Sequence, residues 1–223
     1  MAGVSTTVLE GIRYLVANSD QALGLLVQHL KLVLVSELAA IAIAVPLGVL
    51  AVRYERAREP IMAAGNVAQT IPSLAVIALM FPILGLGFRP AVVALFVYAL
   101  LPILTNTIAG IDGIEQSTLD AARGMGMTDN ELLVRIQLPI AFPVIFAGIR
   151  TSTVINVGTA YLAFFIGAGG LGRWVISGID LFDMSQVFAG ALVGAVLAIT
   201  LDLALAGIER QLRSDSGGQT AAV

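Results

Sequence analysis

Six polar or charged side chains stand inside long apolar runs of this 223-residue sequence: Glu37, Gln69, Asn106, Arg150, Asn156 and Asp202. A charge at the centre of a lipid-facing helix costs at least about 2.5–3.5 kcal/mol, so such residues turn toward a bundle interior or a water-filled path. Gln69, Asn106, Arg150 and Asn156 are therefore candidates to line a passage for a polar solute. The competing reading is hydrogen bonding between helices, with Glu37 and Asp202 near the membrane interfaces. A second pattern, Gly167-Ala168-Gly169-Gly170-Leu171-Gly172, satisfies G-x-G-x-x-G. That fingerprint cradles a dinucleotide only between a strand and a helix of a βαβ unit, and here it follows an apolar helix-length run, so a tight extracellular turn is expected. No G-x-x-x-x-G-K-[ST], H-E-x-x-H or G-x-S-x-G occurs, and no catalytic residue is expected. The chain has no cysteine and one histidine, His29, which leaves no cysteine-ligated or histidine-rich metal site.

The elements that must position these residues follow from composition. The chain is 58% hydrophobic and 12% charged with mean hydropathy +0.94, against about 45–50% and about 25% in soluble domains. Too few charges remain to cover a water-exposed surface, and the chain belongs in a bilayer. A net charge of −3 offers no basic face for nucleic acid. Crossing a hydrocarbon core takes about 20 apolar residues, and five windows qualify: about 30–52, 61–84, 90–111, 140–165 and 187–208. The expected fold is an all-α membrane protein of five transmembrane helices, one transmembrane domain over 1–213, followed by a disordered Ser/Gly/Thr/Ala-rich tail over 214–223. Pro46, Pro72, Pro82, Pro102 and Pro143 fall inside the windows, where each removes a backbone hydrogen bond and bends its helix. The first 20 residues lack the pattern of a cleaved secretory signal.

Short cytoplasmic loops are enriched in Lys and Arg. Arg53, Arg56, Arg58, Arg123, Arg135, Arg210 and Arg213 lie on one side of the five spans, and Arg13, Lys31, Arg89 and Arg173 on the other. The N-terminus is expected outside and the C-terminus in the cytoplasm. His29, at the start of an apolar segment, and Trp174, in an outer loop, are both expected at the membrane interface.

The cytoplasmic loop over 112–139 is patterned as two short helices and a break. Ser117-Thr118-Leu119-Asp120 matches a capping box, and Thr128-Asp129-Asn130-Glu131 matches a second. Between them, Gly124 and Gly126 stop the first helix, and the second is expected to end before Pro139. A short, doubly capped hairpin with an exposed Ala-Ala pair suits a knob that docks in a groove of another protein. A headgroup-bound hairpin would carry more basic and aromatic residues.

Asp120-Ala121-Ala122-Arg123-Gly124-Met125-Gly126, followed by Ile136-Gln137-Leu138-Pro139, resembles the EAA signature of permeases of bacterial ATP-binding-cassette importers, with Asp at the first position. Further stretches, Gln69 to Leu74, Tyr98 to Ile103, Ala147 to Thr151 and Ile166 to Gly172, resemble the osmoprotectant branch for glycine betaine, carnitine and choline. The resemblance covers about residues 60–175. It implies a type I importer permease fold in the inner membrane of a bacterium, with the loop as a coupling helix in a cleft of the ATPase. Ser117, Leu119, Asp120, Ala121, Ala122, Arg123, Gly124 and Gly126 are the coupling residues it implies, with Asp120, Ala121, Ala122 and Gly126 as the contact core. It further implies two ATPase subunits carrying ATP and magnesium, a second permease copy or paralogue, and an extracytoplasmic binding protein. The chain itself binds no cofactor on this reading. With 6% aromatic residues it is poor in the aromatic cages that hold quaternary ammonium groups, so recognition is expected in the binding protein. The alternatives are a permease for another small solute such as an amino acid, or a passive channel.

Overall fold

The computed structural model describes residues 4–217. Ten α-helices account for most of them: α1 (Val4–Ala17), α2 (Ser19–Arg53), α3 (Glu55–Thr70), α4 (Ser73–Leu84), α5 (Phe88–Asp112), α6 (Gln116–Gly124), α7 (Asp129–Leu132), α8 (Leu138–Thr159), α9 (Gly172–Asp180) and α10 (Met184–Gly217). A π-helical turn, Leu133–Gln137, joins α7 to α8, and a 3₁₀ segment, Ala160–Ile166, continues α8. Among the described residues, four stretches are long and apolar enough to cross a membrane: α2, α5, Asp129–Ile166 and Met184–Gln211. They become five if the bent pair α3–α4 counts as one span.

The centre of the bundle is α5, which packs on both α2 and α8. Small residues let these backbones approach closely, as membrane helices require when burying apolar surface gives no advantage over lipid. Ala40, Ala44 and Ala51 of α2 and Ala99, Ile103 and Ile108 of α5 form one buried seam. A Cβ on Gly48 would lie 2.6 Å from Thr107 Cγ2, and one on Gly148 would lie 2.8 Å from the Pro102 carbonyl oxygen. A second cluster joins Leu32 and Val33 of α2, Ile77 of α4, Ala94 and Leu95 of α5, and Val157 of α8.

The window 61–84 departs from a continuous helix: α3 and α4 meet at 97°. Proline disfavours helical geometry in the residue before it, and Ile71, ahead of Pro72, is extended at φ −76°, ψ 126°. The break leaves backbone groups that must be bonded elsewhere. Tyr98 donates its hydroxyl to the Ile71 carbonyl. Pro102 in turn has no N–H for the Tyr98 carbonyl four residues back, and Gln69 Nε2 donates to that carbonyl at 3.1 Å. Pro46, Pro82, Pro102 and Pro143 lie inside continuous helices.

Two other boundaries differ from the sequence windows. Helix α2 begins 11 residues before the first window, and Gln28 and His29 in this added stretch and at its border bond the glycine turn after the 3₁₀ segment. Helix α10 runs on through Gly217, into the stretch expected to be a tail, and residues 218–223 lie outside the described residues.

Candidate functional site

The loop after α5 folds on its own small core. Ile114, Leu119, Ala122 and Leu132 are buried together, with Met127 and Ile136 against them. Helix α6 starts at Gln116 with Glu115 as its cap, and no side chain caps it. The capping box expected at Ser117 is therefore absent, and the Ser117 hydroxyl instead points to Glu115 Oε2 at 3.4 Å. The start is fixed by a hydrophobic staple: Ile114, just before the cap, packs with Leu119 one turn into the helix. The end is a Schellman motif. Met127 N–H donates to Ala122 O at 3.3 Å and Gly126 N–H to Arg123 O at 2.9 Å, with Gly126 left-handed at φ +84°.

The second capping box forms as its pattern predicts. Glu131 N–H donates to Thr128 Oγ1 at 3.4 Å, and Thr128 N–H donates to Glu131 Oε2 at 3.0 Å. The helix it begins does not end before Pro139. It passes through the π-turn straight into α8, where proline in the first turn has no N–H to waste. Two side-chain bonds anchor the loop and its neighbour helix. Arg53 Nη1 donates to Asn130 Oδ1 at 2.8 Å, and Arg58 pairs with Asp112 at 2.5 Å.

Of the eight coupling candidates, Leu119 and Ala122 face inward, the latter 2% exposed. Ala122 thus belongs to the packing of the knob rather than to its contact surface. Ser117, Asp120, Ala121, Arg123, Gly124 and Gly126 are exposed. Asp120 accepts from Gln116 Nε2 at 2.8 Å and from Arg123 Nη1 at 3.4 Å. A cavity of about 300 Å³ beside the knob is lined by Arg53, Arg123, Asp129 and Gln137 among others.

The four path candidates do not converge. Gln69 bonds the Tyr98 carbonyl, and Asn106 Nδ2 bonds the Pro102 carbonyl of its own helix at 2.8 Å. Asn156 is fully buried and donates to Glu37 Oε2 at 2.9 Å. Arg150 grips Asp202 of α10 with two bonds, Nε to Oδ1 and Nη2 to Oδ2, the latter 2.7 Å, and Glu209 Oε2 lies 4.0 Å from Nη1. This bidentate geometry is the strong form of an arginine–carboxylate pair. Both side chains remain about one-third exposed, at 34% each.

Glu37 turns into the bundle, as its place in an apolar run predicts: it is 4% exposed, between α2, α5 and α8. Two expectations from the sequence are corrected. His29 is fully buried; its Nε2 lies 2.9 Å from the Val157 carbonyl and its Nδ1 accepts from Leu171 N–H at 3.3 Å. Those two bonds fix the ring as neutral, with the proton on Nε2. Trp174 is 1% exposed, bonds Gln21 Oε1 at 3.0 Å and stacks edge-on against Tyr14 of α1. Burial, and then the Asp183 carboxylate, push the Tyr14 phenol above its ordinary range. The G-x-G-x-x-G stretch is a tight turn with Gly167, Gly169 and Gly170 left-handed. Its Gly170 and Leu171 amides are spent on Gln28 and His29, and hold no phosphate.

An all-helical bundle with a broken second span and a knob between its third and fourth spans defines the permease half of a type I binding-protein-dependent importer. The chain belongs to the family described as binding-protein-dependent transport system inner membrane component, whose model matches residues 41–214. It is 42% identical over 201 residues to the choline transport system permease protein OpuBB of Bacillus subtilis, covering 90% of this chain and 93% of that one. It is 43% identical over 199 residues to the osmoprotectant import permease protein OsmW of Salmonella typhimurium, covering 87% and 93%. Among solved structures, a chain of the inward-facing MetNI methionine transporter superposes with a TM-score of 0.77 at 21% identity, covering 86% of this chain and 95% of that one. An amino acid transporter crystallised with histidines superposes at 0.75 with 18% identity, covering 89% and 97%. The bundle is thus the type I importer permease fold.

Proposed function

We propose that this chain forms the membrane passage of an ATP-driven importer for quaternary-amine osmoprotectants: glycine betaine, choline or carnitine. The observation that carries the substrate is the identity of about 42% over nine-tenths of the chain to a choline transport permease, on a fold that supplies the passage. On this reading two ATPase subunits hold ATP and magnesium, since the sequence has no phosphate-cradling loop. A binding protein delivers the solute, and a second permease, this chain or a paralogue, completes the passage. The N-terminus is outside and the C-terminus cytoplasmic.

Helix α6 enters a cleft on the ATPase. Asp120, Ala121, Arg123, Gly124 and Gly126 make the contact, Ser117 borders it, and Leu119 and Ala122 hold the helix in shape from behind. When ATP closes the ATPase pair, the knob moves with it and the spans reorient between inward- and outward-facing states. Among the path candidates, Arg150 is the residue that faces polar surroundings, because its ion pair with Asp202 is too exposed to sit against lipid. Asn106 packs against Gly148 of α8, whereas Gln69 and Asn156 serve helix contacts.

Reconstitution of the chain with its ATPase and binding protein in liposomes tests this. Labelled glycine betaine, choline or carnitine should accumulate only with ATP and binding protein present. Passive flux without ATP would replace the reading with a channel, and ATP-driven uptake of an amino acid alone would discard the substrate.

A further inference from the structure

The contact of α2, α5 and α8 holds a polar cluster with fewer donors than acceptors. Asn156 Nδ2 gives its protons to Glu37 Oε2 at 2.9 Å and toward Ser36 Oγ at 3.5 Å. The Ser36 hydroxyl is engaged by carbonyls of its own helix, Leu32 O at 2.8 Å and Val33 O at 2.9 Å. The Ser152 hydroxyl lies 3.1 Å from Glu37 Oε2 and 3.3 Å from the Ala99 carbonyl, with one proton to give. The Thr153 hydroxyl, also beside Glu37, gives its proton to the Ile149 carbonyl at 2.9 Å; every donor is then spent, while Glu37 Oε1 and Asn156 Oδ1, both fully buried, have no partner. An acceptor left bare in such a place costs about 1–3 kcal/mol. Two on neighbouring groups, one of them a carboxylate, are a heavy penalty at the centre of a bundle.

A positive charge that could offset a carboxylate is also missing. Besides Glu37, the ionisable groups on the three packed helices are Asp20, His29, Lys31 and Arg53 of α2, Arg89, Tyr98 and Asp112 of α5, and Arg150 of α8, with Arg53 bonded to Asn130. His29 bonds Val157 and Leu171, Tyr98 bonds Ile71, Asp112 pairs with Arg58, and Arg150 pairs with Asp202. None of them hydrogen-bonds or ion-pairs with Glu37 among the described residues.

We propose that Glu37 and Asn156 form a buried proton-binding site in which Glu37 carries the proton on Oε1 and donates it to Asn156 Oδ1. A carboxylic acid and a primary amide side by side make two complementary bonds. The amide N–H to the acid carbonyl is already present at 2.9 Å, and the acid O–H to the amide carbonyl accounts for both bare atoms at once. One proton thus turns a donor-poor cluster into a fully bonded one, and joins α2 to α8 without placing an ion between them.

The test uses the full chain purified within its transporter complex at neutral pH. Infrared difference spectra between the native protein and Glu37→Gln should show the carbonyl stretch of a protonated carboxylic acid, shifted by deuteration and missing in the variant. Glu37→Gln, whose amide N–H stands where the acid O–H does, should melt close to the native protein. Glu37→Met, which leaves Asn156 without either bond, should melt about 5 °C or more lower. An ionised-carboxylate band lost in Glu37→Gln would overturn the proposal and point to a bridging water. A melting temperature raised by sodium or potassium in the native protein but not in Glu37→Gln would overturn it in favour of a metal cation.

Discussion

The knob built by α6 and α7 and the core built by α2, α5 and α8 are held together by opposite means. The knob is stitched by bonds between near neighbours: a staple five residues apart, a Schellman turn, and a Thr128–Glu131 box. The core is joined by contacts between residues far apart in sequence, such as Glu37 with Asn156 at 119 residues and Ser152 with Ala99 at 53. A locally determined knob can keep its shape while it moves, whereas a core of long-range contacts shifts only when several helices move together. That division suits a machine that receives force at one end and changes shape at the other.

The largest effect that separates the two regions should come from Ala121→Trp. The side chain is exposed on α6 and outside the loop's core, so ATP-dependent uptake should fall about tenfold or more, as when a bulky residue blocks an interface hot spot. The melting temperature should stay unchanged, and full uptake by the variant would remove α6 from the ATPase contact.

Gly148→Leu attacks the core instead. Its Cβ would meet the Pro102 carbonyl and Asn106, and overpacking of this kind costs about 1–3 kcal/mol. A drop in thermal stability together with uptake is expected; an unaffected melting curve would mean that α5 and α8 are not locked at this point.

The Arg150–Asp202 pair should respond as a unit. Arg150→Met and Asp202→Asn should each reduce uptake, since each leaves the other charge without its partner, and the double variant should recover part of what the single variants lose. Additive losses would show that the two act separately. The smallest effect is Thr128→Ala, worth about 1 kcal/mol for the loss of an N-cap. Hydrogen exchange should speed up at the Glu131 amide and leave the amides of α5 unaffected.

What could be read in the sequence follows the same division. The Thr128 box and the Gly126 turn were legible because their residues are adjacent and their types are demanded by backbone geometry. Ser117 misled because a second local device, Ile114 against Leu119, competed for the same helix start and won. The five apolar windows marked where long helices run, since hydropathy is a local property. Pro72 marked a bend inside the second window, but not that it would reach 97°, because an apolar run looks alike whether straight or folded, and only the Gln69–Tyr98–Ile71 bonds make the fold bearable in lipid. His29 and Trp174 were misplaced for one reason. Their partners lie more than 100 residues away, and no local pattern records such a pairing. The observation that could have exposed them is that apolar spans do not carry polar groups without partners.

The π-turn at Leu133–Gln137 means that no slack lies between the knob and the fourth span. Asp129 to Ile166 is 38 residues of unbroken helical backbone, about 57 Å of rod at 1.5 Å per residue. On the proposed coupling, a push at the loop end of this rod would be carried along it to Arg150 and Asn156, and through their bonds to α10 and α2. The π-turn widens the rod at its loop end without interrupting it.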